Sequence, residues 1–248
     1  MTDESTYDQL ANSDERALPK HGLGAGFENG LLPPLYFSTK SLIWGDKSGS
    51  ATEPTGKEFK TSNVKKLTLE ASGYRCMYCG FHSGHNEVHN LSDNHQDTRL
   101  VNFGVIDQLC HGWKHLGELG KGNGVIAYLP GLSSQDVNHL QRTIMVALQS
   151  DDDLAKKDAK ILLNWLGSHM SYVEEAWGTN VPEVFAKALL KQSEEDKERR
   201  EFVFEGLAVI FNPRSYSELA TLWSQDYGFS YPVGKWTETY FSVINPPA

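Results

Sequence analysis

Cysteine is scarce in this chain, with three among 248 residues, and so small and odd a number supports no disulfide framework. A secretory leader is also missing from the reading frame's start: MTDESTYDQL has neither a basic nor an apolar signal region. No apolar run approaches the roughly 20 residues that a membrane-spanning helix needs, which leaves no route to direct membrane insertion. Positive charge is in deficit, 23 Lys and Arg against 32 Asp and Glu for a net charge of -9. Sequence-independent nucleic-acid binding usually shows as a basic excess, so the balance argues against nucleic acid as a partner. Internal repeats are absent. These absences describe a cytoplasmic protein, and the 39% hydrophobic and 22% charged composition is that of an ordinary globular one. The length suffices for one large domain or a small module with a helical extension.

Four regions follow from the pattern. Residues 1–30 are polar and aperiodic and read as a mobile N-terminal arm. Residues 31–132 read as a zinc-binding module with flanking strands and a helix. Its LLPPLYFSTKSLIW segment is extended and broken by Pro33-Pro34, and GDKSGSATEPTGKE is a polar loop. Phe59, Val64, Leu67 and Leu69 fit a short helix that stops at Ser72-Gly73. After GKGNG, VIAYLPGL reads as a strand with an exit turn. Residues 133–225 are a helical region: Ser133 or Ser134 caps a helix with Val137, Leu140, Ile144 and Leu148 on one face. A second stripe runs through Leu154, Ile161, Leu162, Trp165, Tyr172, Val173 and Ala176, interrupted by Asp158, and ends near Gly178. Asn180 and Pro182 announce the next helix as N-cap and early proline. The run Ser193 to Glu201 reads as a solvated face or linker. A last helix opens around Ser215 or Ser217, before an aromatic-rich tail over 226–248.

Six of the nine histidines and all three cysteines fall between Tyr74 and Gly120. Cys76 and Cys79 are spaced by two residues, between Ser72-Gly73-Tyr74 and Gly80, which is a loop and not the strand-to-helix junction of a thioredoxin-like redox motif. Zinc prefers four ligands in a tetrahedron, commonly from two such pairs. A fourth cysteine would stand three positions before or after Cys110, where Asp107 and Trp113 are found. Asp107 reproduces the spacing as D-x-x-C and offers a carboxylate oxygen, an accepted zinc ligand. His111, adjacent to Cys110, and His115, one turn beyond, are the alternatives. Without metal the three cysteines would be reduced core thiols.

Cys79 and Cys110 lie 31 positions apart, room for a two-stranded hairpin with its loop at Ser92 to Thr98, before a helix starting at Cys110. Knuckle, hairpin and helix in this order make a ββα-metal module of the HNH type. The fold class expected is therefore α+β, mainly helical, with an HNH-like ββα zinc module embedded in a helical domain. HNH nucleases place a metal-binding His or Asp first, then a His as general base, then Asn, then a terminal His or Asn. Here His89 takes the first position, Asn90 stands where the base belongs, and Asn102 and His111 take the later ones. An amide cannot accept the water proton at neutral pH, so these positions read as vestigial, and His82, His89 and His95 as ordinary loop and hairpin residues.

The segments LPPLYFSTKS, YRCMYCGF, VHNL…NFGVIDQLC, GELGKG and IAYLPGLSSQDVNHL, with weaker similarity through LAVIFNPRSYSELATLW, resemble the IcmJ (DotN) family of type IVB secretion and plasmid conjugation systems over most of residues 31–225. Any one piece is weak; the knuckle combined with GKG…IAYLP…S-x-x-D-x-N is specific. The family pattern has cysteine at both positions of the second zinc pair, where this chain has Asp107 and Cys110. The resemblance implies a non-enzymatic zinc-binding component of a coupling complex. It also implies partners, the C-terminal segment of the type IV coupling ATPase and adaptor proteins, and so a place peripheral to the inner membrane. Two other readings remain: an active HNH-type DNA endonuclease with His89, Asn102 and His111 around magnesium, and a zinc-dependent nucleic-acid-binding module without cleavage.

Overall fold

The computed structural model describes residues 32–39, 57–92, 97, 99–191, 203–228 and 232–245. The expected N-terminal arm, the polar loop before the first helix, His95 and the run Ser193 to Glu201 lie outside the described residues. The chain is α+β and mainly helical, and it divides into two compact units: Met1–Pro33 with Ala51–Asp107, and Pro34–Ser50 with Gln108–Ala248. Among the described residues no helix is long and apolar enough to cross a membrane.

In the first unit, helix α1 (Lys57–Ala71) ends because the chain turns left-handed at Gly73, φ 58°. The Gly73 N–H donates to the Glu70 carbonyl and the Tyr74 N–H to that of Leu69, a Schellman closure that uses up the orphan carbonyls of the last turn. Strands β1 (Glu87–Asn90) and β2 (Phe103–Ile106) pair antiparallel, with His89 opposite Gly104. A Cβ on Gly104 would lie 2.5 Å from Met77 Sδ, so glycine there lets the knuckle lie against the hairpin. The backbone joins them too, through the Met77 N–H and the Val105 carbonyl at 2.8 Å.

The first helix described in the second unit is α2 (Gln108–Lys114). This helix starts two residues before the expected Cys110, so Cys110 lies in its first turn. Strand β3 (Gly124–Tyr128) pairs antiparallel with β4 (Leu207–Phe211), Ile126 opposite Val209. The sequence reading missed β4. All five of its residues are buried, and a strand covered on both faces shows no alternation for periodicity to find.

Against this pair lie α3 (Ser134–Gln149), α4 (Asp153–Ser168), α5 (Met170–Trp177) and α6 (Pro182–Leu190); α7 (Ser217–Gly228) packs on α3, and α8 (Trp236–Ile244) follows. Ser133 caps α3, its side chain accepting from the Asp136 N–H, and Gly178 ends α5 with φ 73°. The α6 cap is Val181 and not Asn180: Pro182 occupies the first helical position with no side-chain cap, and the Asn180 carbonyl accepts from the Ile126 N–H instead.

Two helix faces differ from their apolar patterns. On α3 the buried side includes Asn138 and Gln141 beside Val137, Ile144 and Met145. Gln141 Nε2 donates to the Val209 carbonyl at 2.9 Å and its Oε1 accepts from the Phe211 N–H at 2.8 Å, so one amide supplies β4 with the bonds a neighbouring strand would give. On α4 and α5, Ala159, Leu166 and Val173 face inward, whereas Leu154, Ile161, Trp165 and Tyr172 are 46% to 68% exposed. Trp165, His169 and Tyr172 form an aromatic ladder there, with ring centroids 5.0 and 5.9 Å apart.

Candidate metal centre

The knuckle is a tight reversal. Arg75 bridges His82, the Cys76 N–H donates to the Phe81 carbonyl, and the Gly80 N–H donates back to the Cys76 carbonyl, each at 2.9 Å. Gly80 permits the turn with φ 71°. Asn86 reinforces it, Nδ2 donating to the carbonyls of Tyr74 and Phe81 at 2.9 Å each. Spacing by two residues thus puts both sulfurs at the head of one loop.

The residue after β2 is Asp107, fully buried. Its Oδ2 accepts from Cys79 Sγ at 2.7 Å, which joins the far end of the hairpin to the knuckle. Cys110 follows Asp107 by three residues, and the helical turn between them carries it to the same side. The ligand-capable atoms of Cys76, Cys79, Asp107 and Cys110 all lie within 4.8 Å of one another, and all four residues are buried. This group could hold a metal ion.

The donor chemistry fits a tetrahedral ion. Metal–sulfur bonds of ~2.3 Å and metal–oxygen bonds of ~2.0 Å put neighbouring ligand atoms roughly 3.5–3.8 Å apart, inside the observed span. A carboxylate removed from water needs compensation, and a divalent cation shared with thiolates would supply it. Thiolate-rich sets suit zinc among the common divalent ions.

His111 and His115, the alternative ligands, are not in the group that holds the three cysteines. They sit one turn apart on α2 and at its end, their rings edge to face with centroids at 4.4 Å. His115 Nδ1 lies 3.8 Å from Glu118 Oε1. Burial pushes the Glu118 carboxyl up from its ordinary value, and the charge of His111 partly offsets this.

Of the nuclease-like row, His89, Asn90 and Asn102 belong to the hairpin segment and His111 to α2, and the ring nitrogens of His89, His111 and His115 lie within 4.8 Å of one another, a second group that could hold a metal ion. His89 is buried on β1, and next to it Asn90 accepts from Asn102 Nδ2 at 3.3 Å. Asn102 knits the hairpin's mouth: the same Nδ2 donates to the Asp97 carbonyl at 2.9 Å, and Oδ1 accepts from the Ser92 N–H at 3.0 Å. Two asparagines therefore hold each other where an acid–base pair would act. Sequence reasoning also missed Asn138, whose Nδ2 donates to Cys110 Sγ at 3.3 Å. Its one signal was its place as the last residue of S-x-x-D-x-N, which marked a resemblance and not a partner of the cysteines.

No family model matches the chain. It is similar to the type 4 apparatus protein DotN of Legionella pneumophila, strain Philadelphia 1, with 24% identity over 174 residues, which cover 68% of this chain and 80% of that protein.

Proposed function

We propose that the protein is a non-catalytic component of a type IVB secretion or conjugation coupling complex, with a zinc ion at Cys76, Cys79, Asp107 and Cys110 holding an HNH-like module. The similarity to a type 4 apparatus protein across most of both chains carries this reading. The partner is the C-terminal segment of a coupling ATPase, with adaptor proteins beside it. Zinc serves folding: structural sites contribute on the order of 10 kcal/mol in small peptides, and here the ion ties the knuckle to the D-x-x-C corner.

The absence of catalysis is supported by the hairpin row, where Asn90 replaces a general base and is engaged by Asn102. The test is capture of the tagged full-length chain from membranes with mass spectrometry, beside a nicking assay on supercoiled plasmid with magnesium and manganese. Recovery of a coupling ATPase without nicking is the expected result. Metal-dependent cleavage abolished by His89→Ala, with no ATPase recovered, would make the protein an HNH-type endonuclease instead.

A further inference from the structure

Asn138 is fully buried on α3, and both ends of its amide are committed. Trp113 Nε1 donates to Oδ1 at 3.1 Å, and Nδ2 donates to Cys110 Sγ at 3.3 Å. An indole N–H can only donate, so it settles which end of the amide is oxygen and leaves the NH2 group facing sulfur. The flipped amide would set N–H against N–H and carbonyl against sulfur. Trp113 lies in the same helix as Cys110, one turn on, so the holder and the acceptor move together.

A thiol sulfur accepts hydrogen bonds weakly, while an ionised acceptor takes them about twice as strongly. Three thiolates and one carboxylate would bring four negative charges to a divalent ion, leaving a buried excess of two. Donors aimed at coordinating atoms spread such excess and fix ligand orientation. Asn138 is such a donor.

We propose that Asn138 is a positioning residue of the metal centre: its amide, held by Trp113, donates to the Cys110 thiolate, orienting it and raising the site's affinity. This rests on the reading of the cysteine–aspartate group as a metal centre. Loss of comparable donors costs metal sites roughly 10–100-fold in affinity.

The test uses the full chain loaded with cobalt(II), whose sulfur-to-metal charge-transfer band reports the energy of the sulfur lone pairs, together with competition against a chromophoric chelator. Asn138→Leu keeps the volume and removes the donor; a roughly 10–100-fold loss of affinity and a band shifted to lower energy are expected. Asn138→Asp keeps the shape and Trp113's acceptor but turns oxygen toward sulfur, so its affinity falls further. This isosteric variant also serves if the leucine variant does not fold. A band and an affinity unchanged from wild type in the folded variants, whatever their metal-free melting temperature, would overturn the proposal while the metal reading stands. A wild-type chain with no thiolate–cobalt band would overturn both.

Discussion

The cysteine corner and the hairpin row lie close in sequence and differ in what their side chains can do. At the corner, every position that spacing marks as a ligand holds a group able to bind a cation, with aspartate at one of the four. Along the row, the position that would take a proton from water holds an amide, and its neighbour amide bonds to it. Holding an ion asks only for donors at fixed spacing, whereas activating water also asks for a base of matched pKa. On the proposed function, one residue type changed at one position removes the second capacity and leaves the first.

Removing a corner ligand should have the largest effect. Cys79→Ser is expected to abolish stoichiometric zinc and lower the melting temperature by about 10 °C, taking a loss of several kcal/mol and ~2–4 °C per kcal/mol for a chain of this size. Elemental analysis and calorimetry check it, and a chelator acting on the wild type should move the melt the same way. Partner capture should fall only in proportion to unfolding.

Asp107→Ala should weaken zinc without removing the three cysteines' grip, with a loss smaller than that of Cys79→Ser and measurable by competition with a chelator. If affinity is unchanged there and falls in His111→Ala or His115→Ala, the fourth ligand is a histidine and the contrast between corner and row blurs.

His89→Ala sharpens the contrast from the other side. A buried hairpin side chain is lost, costing about 1–2 kcal/mol, but zinc content and ATPase capture should match the wild type. A fall in zinc content would mean that His89 holds metal together with His111 and His115, whose ring nitrogens lie near its own.

The smallest effect belongs to the hairpin loop. The Arg99 side chain, hydrogen-bonded to Asp97, holds its carboxyl at about 2, below the usual 3.8. A carboxyl depressed in the folded state contributes stability that is present above pH 3.8 and lost as pH falls through about 2. Arg99 is exposed and Asp97 half-buried, so solvent screens the pair and the contribution is slight. An NMR titration of Asp97 should show its midpoint near 2 in the wild type, moving up in Arg99→Ala.

The knuckle was legible in the sequence because its geometry is local: Cys76 and Cys79 share one loop, Asp107 and Cys110 one helical turn. The hairpin was legible from the 31 positions between Cys79 and Cys110, and α1 from its apolar spacing and the Ser72-Gly73 stop. Strand β4 was not, since LAVIF is apolar throughout and only Gly206 and Asn212-Pro213 frame it. The long stripe on α4 and α5 was visible as a period, but a helix with apolar residues on two sides does not tell which side faces the core; Ala159 and Leu166, smaller or fewer, won over Leu154, Ile161 and Trp165. Asn138 and Gln141 were invisible as functional groups because their partners, Cys110 and β4, stand 28 and about 70 residues away.

The D-x-x-C link also sets a timetable. On the ribosome the four residues of the cysteine–aspartate group are complete once Cys110 has been made, 28 residues ahead of Asn138. At ~5–20 residues per second that interval is roughly one to six seconds. An ion taken up by the nascent chain within it is held by its ligands alone, and the amide donor arrives afterwards. If the group holds zinc, chelation during synthesis should therefore strip the protein more readily than chelation of finished molecules.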